Sequence, residues 1–520
     1  MTAWAALIIW PIVSFVFYNK LTAPVALCAT IVGGYLLLPT RFGLDLPILP
    51  PLDKRTIPTI VAFIFTAVAI RKDAGNIQVL PGWIPRDPVV LGLLMLLVVG
   101  TLGSVFTNRE ALVFGPRVLQ GHSLYDAGSM LLEIGMVIAP LFLARRLLSF
   151  PDGQRILLTA IVVSAVAYSF LALYEIRMSP QLNMMIYGFF PHQFAQHMRG
   201  GGFRPVVFFG HGLGLSLFLT FATLAAAGLF RSAKEGDRMK WGLAMAWLFA
   251  VMVLSKSLGA LMIAVVLLPC LLFLKTRMQL LVATCIAGMV LTYPALRAAD
   301  QVPVDRIMAF AEQINPNRAA SFMTRLENEE LLLERAREKP VFGWGGWGRQ
   351  RIFDEFGNNL SVTDGSWVIE LGAGGWFRYI GLFGLLCWPV IGLFLGPREK
   401  IDPICAALAL LLCAKLVDLI PNSGIPPISW LMVGALIGRL EMKRGAVTGQ
   451  QIVEKPVVEP GYARKPGSAD EGRPATDLRY ARDFSQKKDE AERPTGRKAE
   501  PKARRSIFYK RPKTSPGYRR

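Results

Sequence analysis

The chain is short of charge and of the side chains that usually carry redox or metal chemistry. Charged residues fill only 18% of its 520 positions, where an ordinary soluble protein carries about 25%. That shortage excludes a typical soluble enzyme and places the chain in the membrane class. Its six cysteines, Cys28, Cys270, Cys285, Cys387, Cys405 and Cys413, all fall inside apolar runs, and none has C-x-x-C spacing. They read as small buried hydrophobes, so neither a redox pair nor a thiolate metal site is indicated. The long polar loops contain no cysteine, which excludes disulfides from their folding. No D-x-D and no clustered Asp/Glu/His set of the kind that holds magnesium is present, so no metal and no cofactor is expected. The apolar runs show no period-two alternation, which argues against a transmembrane barrel. No basic flank precedes the first apolar run, so a cleavable signal peptide is not expected.

What is there is apolar. Hydrophobic residues make up 53% of the chain, in runs near the length of about 20 residues that a helix needs to cross the hydrocarbon core. Thirteen candidate spans follow, at approximately 3–18, 21–38, 56–70, 88–107, 127–144, 155–175, 205–230, 241–255, 257–274, 278–294, 367–396, 402–420 and 424–440. The first and third are short, so twelve is the alternative. The fold expected is an all-α polytopic membrane domain over 1–440, with one large extracytoplasmic loop at 295–366. Basic groups orient it. Arg71/Lys72/Arg86, Arg145/Arg146/Arg155, Arg231/Lys234/Arg238/Lys240, Lys275/Arg277 and Arg398/Lys400 alternate with the other loops and should be cytoplasmic. The region 441–520 is rich in Pro, Lys, Arg, Asp and Glu, and is expected to be a disordered basic cytoplasmic tail. Its basic end follows a membrane helix, so its expected partner is anionic lipid. The net charge of +20 is not taken as a sign of nucleic-acid binding.

The stretch Glu175 to His211 stands out. It carries Arg177, Arg199 and Arg204, three of the four histidines and a triple glycine at 200–202. Fixed positive charge beside flexible backbone at a membrane edge suits an anionic substrate. In the late loop, the spacing of Phe322, Leu326, Leu333 and Ala336 predicts an amphipathic surface helix ended by Pro340. F-G-W-G-G-W-G-R follows at 342–349, its glycines permitting close backbone approach and its tryptophans suiting the bilayer interface.

Three of these places, the loop Glu175–His211, the segment L-S-K-S-L-G-A-L at 254–261, and G-W-G-G-W-G-R with D-G-S-W, carry a resemblance. With the many-helix layout, they resemble the O-antigen ligase and polymerase superfamily of bacterial envelope polysaccharide enzymes, over most of the chain up to about residue 440. The resemblance implies an inverting, metal-independent glycosyltransferase. It would move glycan from an undecaprenyl-diphosphate carrier on the outer face of the bacterial inner membrane. Ligases of the superfamily carry a catalytic histidine where this chain has Asp364, and residues 295–366 contain none. The D-G-S-W form is similar to the exopolysaccharide-production branch, whose members are taken to be polymerases. Implied partners are the lipid-linked glycan and chain-length regulator or export proteins. A ligase is the second reading. A non-enzymatic transporter or lipid-glycan flippase is the third, although no matching halves of the kind transporters show are visible.

For such chemistry, negative charge on the departing diphosphate must be stabilised, and guanidinium groups do this bidentately. Arg199 and Arg204, with Arg325 from the surface helix, are the expected diphosphate ligands. Snorkelling to lipid headgroups is the competing account. Arg177, beside Glu175, reads equally as one half of an ion pair. His211 is expected about two turns into its helix, as a catalytic residue that hydrogen-bonds the diphosphate or assists proton transfer, with packing between Gly210 and Gly212 as the competing account. His192 and His197 read as solvated loop residues. Asp364 is the candidate general base for the acceptor hydroxyl, with a turn or helix cap as the alternative. Glu370 with Arg378, and Lys415 with Asp418, are expected to pair, and Glu133 is a further charge at membrane depth.

Overall fold

A computed structural model describes residues 2–47, 49–72, 77–199, 201–314, 316–396 and 401–445. The expected disordered tail, apart from its first residues, and the Arg398/Lys400 pair lie outside these. Six helices form the N-terminal half: α1 (Thr2–Lys20), α2 (Ala23–Leu37), α3 (Thr56–Lys72), α4 (Pro88–Phe106), α5 (Leu124–Leu147) and α6 (Pro151–Met178). After the short α7 (Leu182–Tyr187) come α8 (Gly212–Ser232), α9 (Glu235–Leu254), α10 (Leu258–Phe273) and α11 (Thr276–Ala298). The late loop holds α12 (Val304–Ile314) and α13 (Pro316–Arg337), and the described bundle closes with α14 (Ser366–Leu395), α15 (Pro403–Asp418) and α16 (Pro427–Lys443).

Each of the thirteen apolar runs is one of these helices. Seven of them (α1, α4, α5, α6, α8, α11 and α14) are long and apolar enough to cross a membrane, and α2 and α10 are apolar but shorter. The result is an all-α, multi-pass architecture. Local chemistry starts the helices where the chain turns. Asp87 accepts from the Val89 and Val90 amides ahead of α4, Ser123 and Asp126 form a capping box on α5, and Asp402 accepts from Ile404 N ahead of α15.

Hydrogen bonds sort the connections into two ends of the bundle. At one end, Lys54 Nζ donates to Phe208 O, Tyr187 Oη to Leu37 O, Arg204 Nη2 to Lys256 O and Arg325 Nη1 to Pro421 O. At the other, Leu80 N donates to Arg146 O, Arg145 pairs with Glu441, and Arg444 pairs with Asp87. Glu441 therefore belongs to α16 and to the core, and not to a tail that begins there. The loops around the candidate site all share the first end.

The deepest layer is α8, α15 and α16. Every residue of α15 from Ile404 to Leu416 is buried, the signature of a helix surrounded on all sides. In lipid there is little hydrophobic drive between helices, so small residues that allow close approach do more of the work. A Cβ at Gly381 would sit 2.7 Å from Leu97 N, and one at Gly100 2.7 Å from Arg378 N, so α4 and α14 are backbone to backbone there.

α14 is broken at Gly375, whose φ of +63° and ψ of −167° suit glycine. The segment 340–345 crosses at the break. Pro340 O and Val341 O accept from the Trp376 and Phe377 amides, while Gly372 O and Ala373 O accept from the Trp344 and Gly345 amides. These four bonds replace those the helix loses, which allows an interrupted helix inside a bundle. The glycines at 343 and 345 do permit close approach: a Cβ on Gly343 would lie 2.6 Å from Gly374 N. Trp344, however, is not an interface anchor. It is buried, its Nε1 donates to Arg335 O at 2.7 Å, and the Arg335 guanidinium stacks 3.3 Å from its ring centre.

α13 also differs from a helix lying free on a surface. Leu326, Leu333 and Ala336 are buried, and Glu329 bonds Arg297 of α11 at 3.1 Å, so the helix is docked on the bundle. Burial raises the Glu329 pKa against the lowering effects of Arg297 and of the Tyr293 hydrogen bond. The side chain of Phe322 lies outside the described residues.

Candidate functional site

The loop 179–211 is pinned by one buried carboxylate. Glu175, in the last turn of α6, accepts from Leu182 N at 2.9 Å and from Val206 N and Val207 N at 2.7 Å each. Val207 needs the help, because its φ of +53° is costly for a β-branched residue. Among the described residues no ion pair joins Glu175 to Arg177. Arg177 is exposed and does not line the cavity described next, so its reading as one half of that pair is corrected. Tyr168 Oη accepts from Phe208 N at 3.0 Å and donates to Leu36 O at 3.1 Å. Lys54 Nζ lies on the Phe208 carbonyl at 3.1 Å, and burial, reinforced by Arg55 and opposed by Asp53, brings its pKa down to about 7.

Beside this loop is a cavity of about 710 Å³. Arg199 and His211 line it from the loop, Arg325 from α13, Asp364 from the approach to α14, and Lys415 and Asp418 from α15. Arg55 lines it as well. Four fixed cations thus face two carboxylates. Arg325 is the hub: its Nε is 3.5 Å from Asp364 Oδ2, and its Nη1 donates to Asn422 Oδ1 at 3.2 Å. Asn422 in turn donates to Asp418 at 2.8 Å, and Asp418 pairs with Lys415 at 2.8 Å. A smaller, largely apolar cavity of about 300 Å³ adjoins, lined by Ala260, Met262, Ile263 and Ile420. The two share Leu213, Leu217, Asp418 and Asn422. A polar chamber continuous with an apolar groove fits an amphiphile with an anionic head.

Several expected placements change. Arg204 does not line the cavity. Its side chain is buried beneath the start of α8, so that a Cβ on Gly212 would meet its Cδ at 2.6 Å, and its Nη2 donates to the Lys256 carbonyl. The L-S-K-S-L-G-A-L segment is the α9–α10 turn, with Lys256 at φ +57° clamping the Arg199 carbonyl through Nζ at 3.0 Å. Arg204 is therefore a brace of the wall. His211 is not two turns into a helix, because residues 205–211 are non-helical. It is the N-cap of α8, its Nδ1 accepting from Leu213 N at 3.0 Å. Asp364 is not a helix cap: that position is Gly365, and Asp364 pairs with Arg325 instead. Glu370 and Arg378 do pair, at 2.7 Å.

The histidines are the largest correction. His197 is fully buried, not solvated, and the rings of His192, His197 and His211 meet with centroids 4.7 to 5.8 Å apart. Their ligand-capable atoms all lie within 4.8 Å of one another, so this trio can hold a metal ion. Burial, then the neighbouring rings and arginines, lowers the pKa of His197 to about 4 and of His211 to about 3. Both are neutral at pH 7. Sequence reasoning missed Arg55, Asp418 and Asn422 as members of the site. Charge at a membrane end was the visible signal for the first two, and nothing marked Asn422. No protein-family model matches the chain, and no curated protein matches it.

Proposed function

We propose that the protein is a membrane glycosyltransferase that polymerises undecaprenyl-diphosphate-linked oligosaccharide repeats. It would act on the outer face of the bacterial inner membrane, with the C-terminal tail cytoplasmic. The observation that carries the reading is the single chamber in which Arg55, Arg199 and Arg325 stand opposite Asp364, with an apolar groove alongside. Arg199 and Arg325 bind the diphosphate and stabilise the charge that appears as its bond to the sugar breaks. Asp364, held by Arg325, takes the proton of the acceptor hydroxyl as that oxygen attacks the anomeric carbon from the opposite side. The carrier diphosphate leaves with the bonding electron pair, and the configuration at that carbon inverts. The apolar groove takes the first isoprene units of the carrier.

Separate Asp364→Asn and Arg325→Lys variants test this in cells that depend on the protein, with lipid-linked repeats and polymer length as readouts. Each is expected to lower polymerisation by roughly 100-fold or more, with single repeats accumulating at normal protein level. Unchanged polymer in both variants would sink the assignment. Finished polymer that fails to reach its acceptor points to a ligase, and repeats trapped where they were made point to a flippase.

A further inference from the structure

We propose that His192, His197 and His211 form a three-histidine site for a zinc-class divalent ion at the wall of the cavity. The case rests on ligand geometry and does not depend on the glycosyltransferase reading. The three rings come from three separate pieces of chain: the bend after α7, the one-turn 3-10 helix Phe194–His197, and the N-cap of α8. Nothing in the local sequence requires them to meet. They meet nonetheless, with centroid separations of 4.7, 4.9 and 5.8 Å.

A tetrahedral ion with Zn–N bonds of about 2.0–2.1 Å holds its ligand nitrogens roughly 3.4 Å apart. Starting from atoms within 4.8 Å, small ring rotations close the set. An independent observation points the same way. His197 is fully buried, and neither of its ring nitrogens has a hydrogen-bond partner; Nδ1 of His192 is likewise buried and unpartnered. Orphaned nitrogens of this kind are rare in folded proteins and call for an explanation. A metal ion supplies one.

Three neutral imidazoles are a ligand set for zinc, copper, nickel or iron, and not for magnesium or calcium, which need oxygen. Three protein ligands also leave a fourth position open. Since His192 and His211 line the cavity, that position faces into it. The surrounding Arg199, Arg204 and Arg325 oppose a bare dication, so an anionic oxygen completes the fourth position. His211 adjusts in one respect. Its Nδ1 now accepts the Leu213 amide, so coordination through Nε2 moves the ring proton to Nδ1 and breaks that cap bond. Among the described residues no acceptor stands behind His197 to orient it, a lack that lowers metal affinity by about 10- to 100-fold.

The test uses full-length protein without a polyhistidine tag, stripped with chelator, equilibrated with zinc chloride and desalted. Elemental analysis is expected to find about one zinc per chain. His192→Ala and His197→Ala should each reduce it by about tenfold or more, while Arg177→Ala, exposed and off the cavity, retains it. Because the histidine variants can misfold, cobalt is titrated into the unaltered protein. A visible tetrahedral d–d band that saturates at one equivalent and is displaced by zinc supports the site. The absence of zinc and of that band in the unaltered protein would overturn it, as would equal zinc in the histidine variants.

Discussion

Replacing Glu175 tests the argument that one buried carboxylate organises the whole loop in front of the cavity. Its two oxygens serve three backbone amides, at 2.9, 2.7 and 2.7 Å, and two of the donors belong to the buried residues Val206 and Val207. In Glu175→Gln one oxygen becomes an NH₂ group. Whichever way the amide turns, at least one donor faces another donor, and the remaining bonds lose their charge assistance. Each buried donor left unsatisfied costs about 1–3 kcal/mol. Glutamine should therefore weaken the loop by about 2–3 kcal/mol, and Glu175→Ala, which strands all three, by about 3–6 kcal/mol. Hydrogen exchange read by mass spectrometry on residues 203–211 in lipid nanodiscs reports this directly, because local opening governs amide protection. Exchange there should accelerate roughly 30- to 150-fold in the glutamine variant and about tenfold more in the alanine variant. The α16 amides around Glu441, at the other end of the bundle, serve as the unaffected reference. Unchanged exchange at Val206 and Val207 in both variants would refute the reasoning.

Other outcomes follow from the same geometry. In metal-free protein, His197 and His211 have pKa values lowered to about 4 and about 3. Both are neutral in folded and unfolded chains above about pH 6.5. As pH falls from there to 4 the unfolded chain gains protons first, so stability drops, by up to about 3 kcal/mol for His197. Thermal melts across that range should show the slope, and His197→Leu should flatten it. Gly375→Ala forces a Cβ against the Val341 carbonyl at a positive φ. It should cost at least about 1–3 kcal/mol and lower the yield of folded protein on size exclusion. Arg145→Met alone leaves Glu441 buried without its cation, an expected loss of about 3–5 kcal/mol in thermal stability. Combining it with Glu441→Gln, whose amide oxygen still accepts from Arg86 N and Asp87 N, should recover much of that loss, and a double variant as unstable as the single would contradict the pairing argument.

Part of this protein could be read along the chain. Continuous apolar runs predict helices because backbone groups within lipid must bond inside their own segment. The thirteen runs emerge as thirteen helices for that reason, and the loops that bear the site fall at one end because successive helices alternate in direction. Pairs three residues apart, such as Lys415 with Asp418, were equally legible, since helical spacing alone puts them on one face. Which side chains face one another across elements was not. The rotation and depth of each helix are set by packing partners distant in sequence, so only the tertiary structure turned Arg204 into a brace. The same packing brought Arg325 to Asp364 and Asn422, and gathered three histidines into one cluster. The break at Gly375 belongs here too. A G-A-G-G run permits it, but it takes the segment 340–345, arriving from outside the helix, to supply the hydrogen bonds that make an interrupted helix stable.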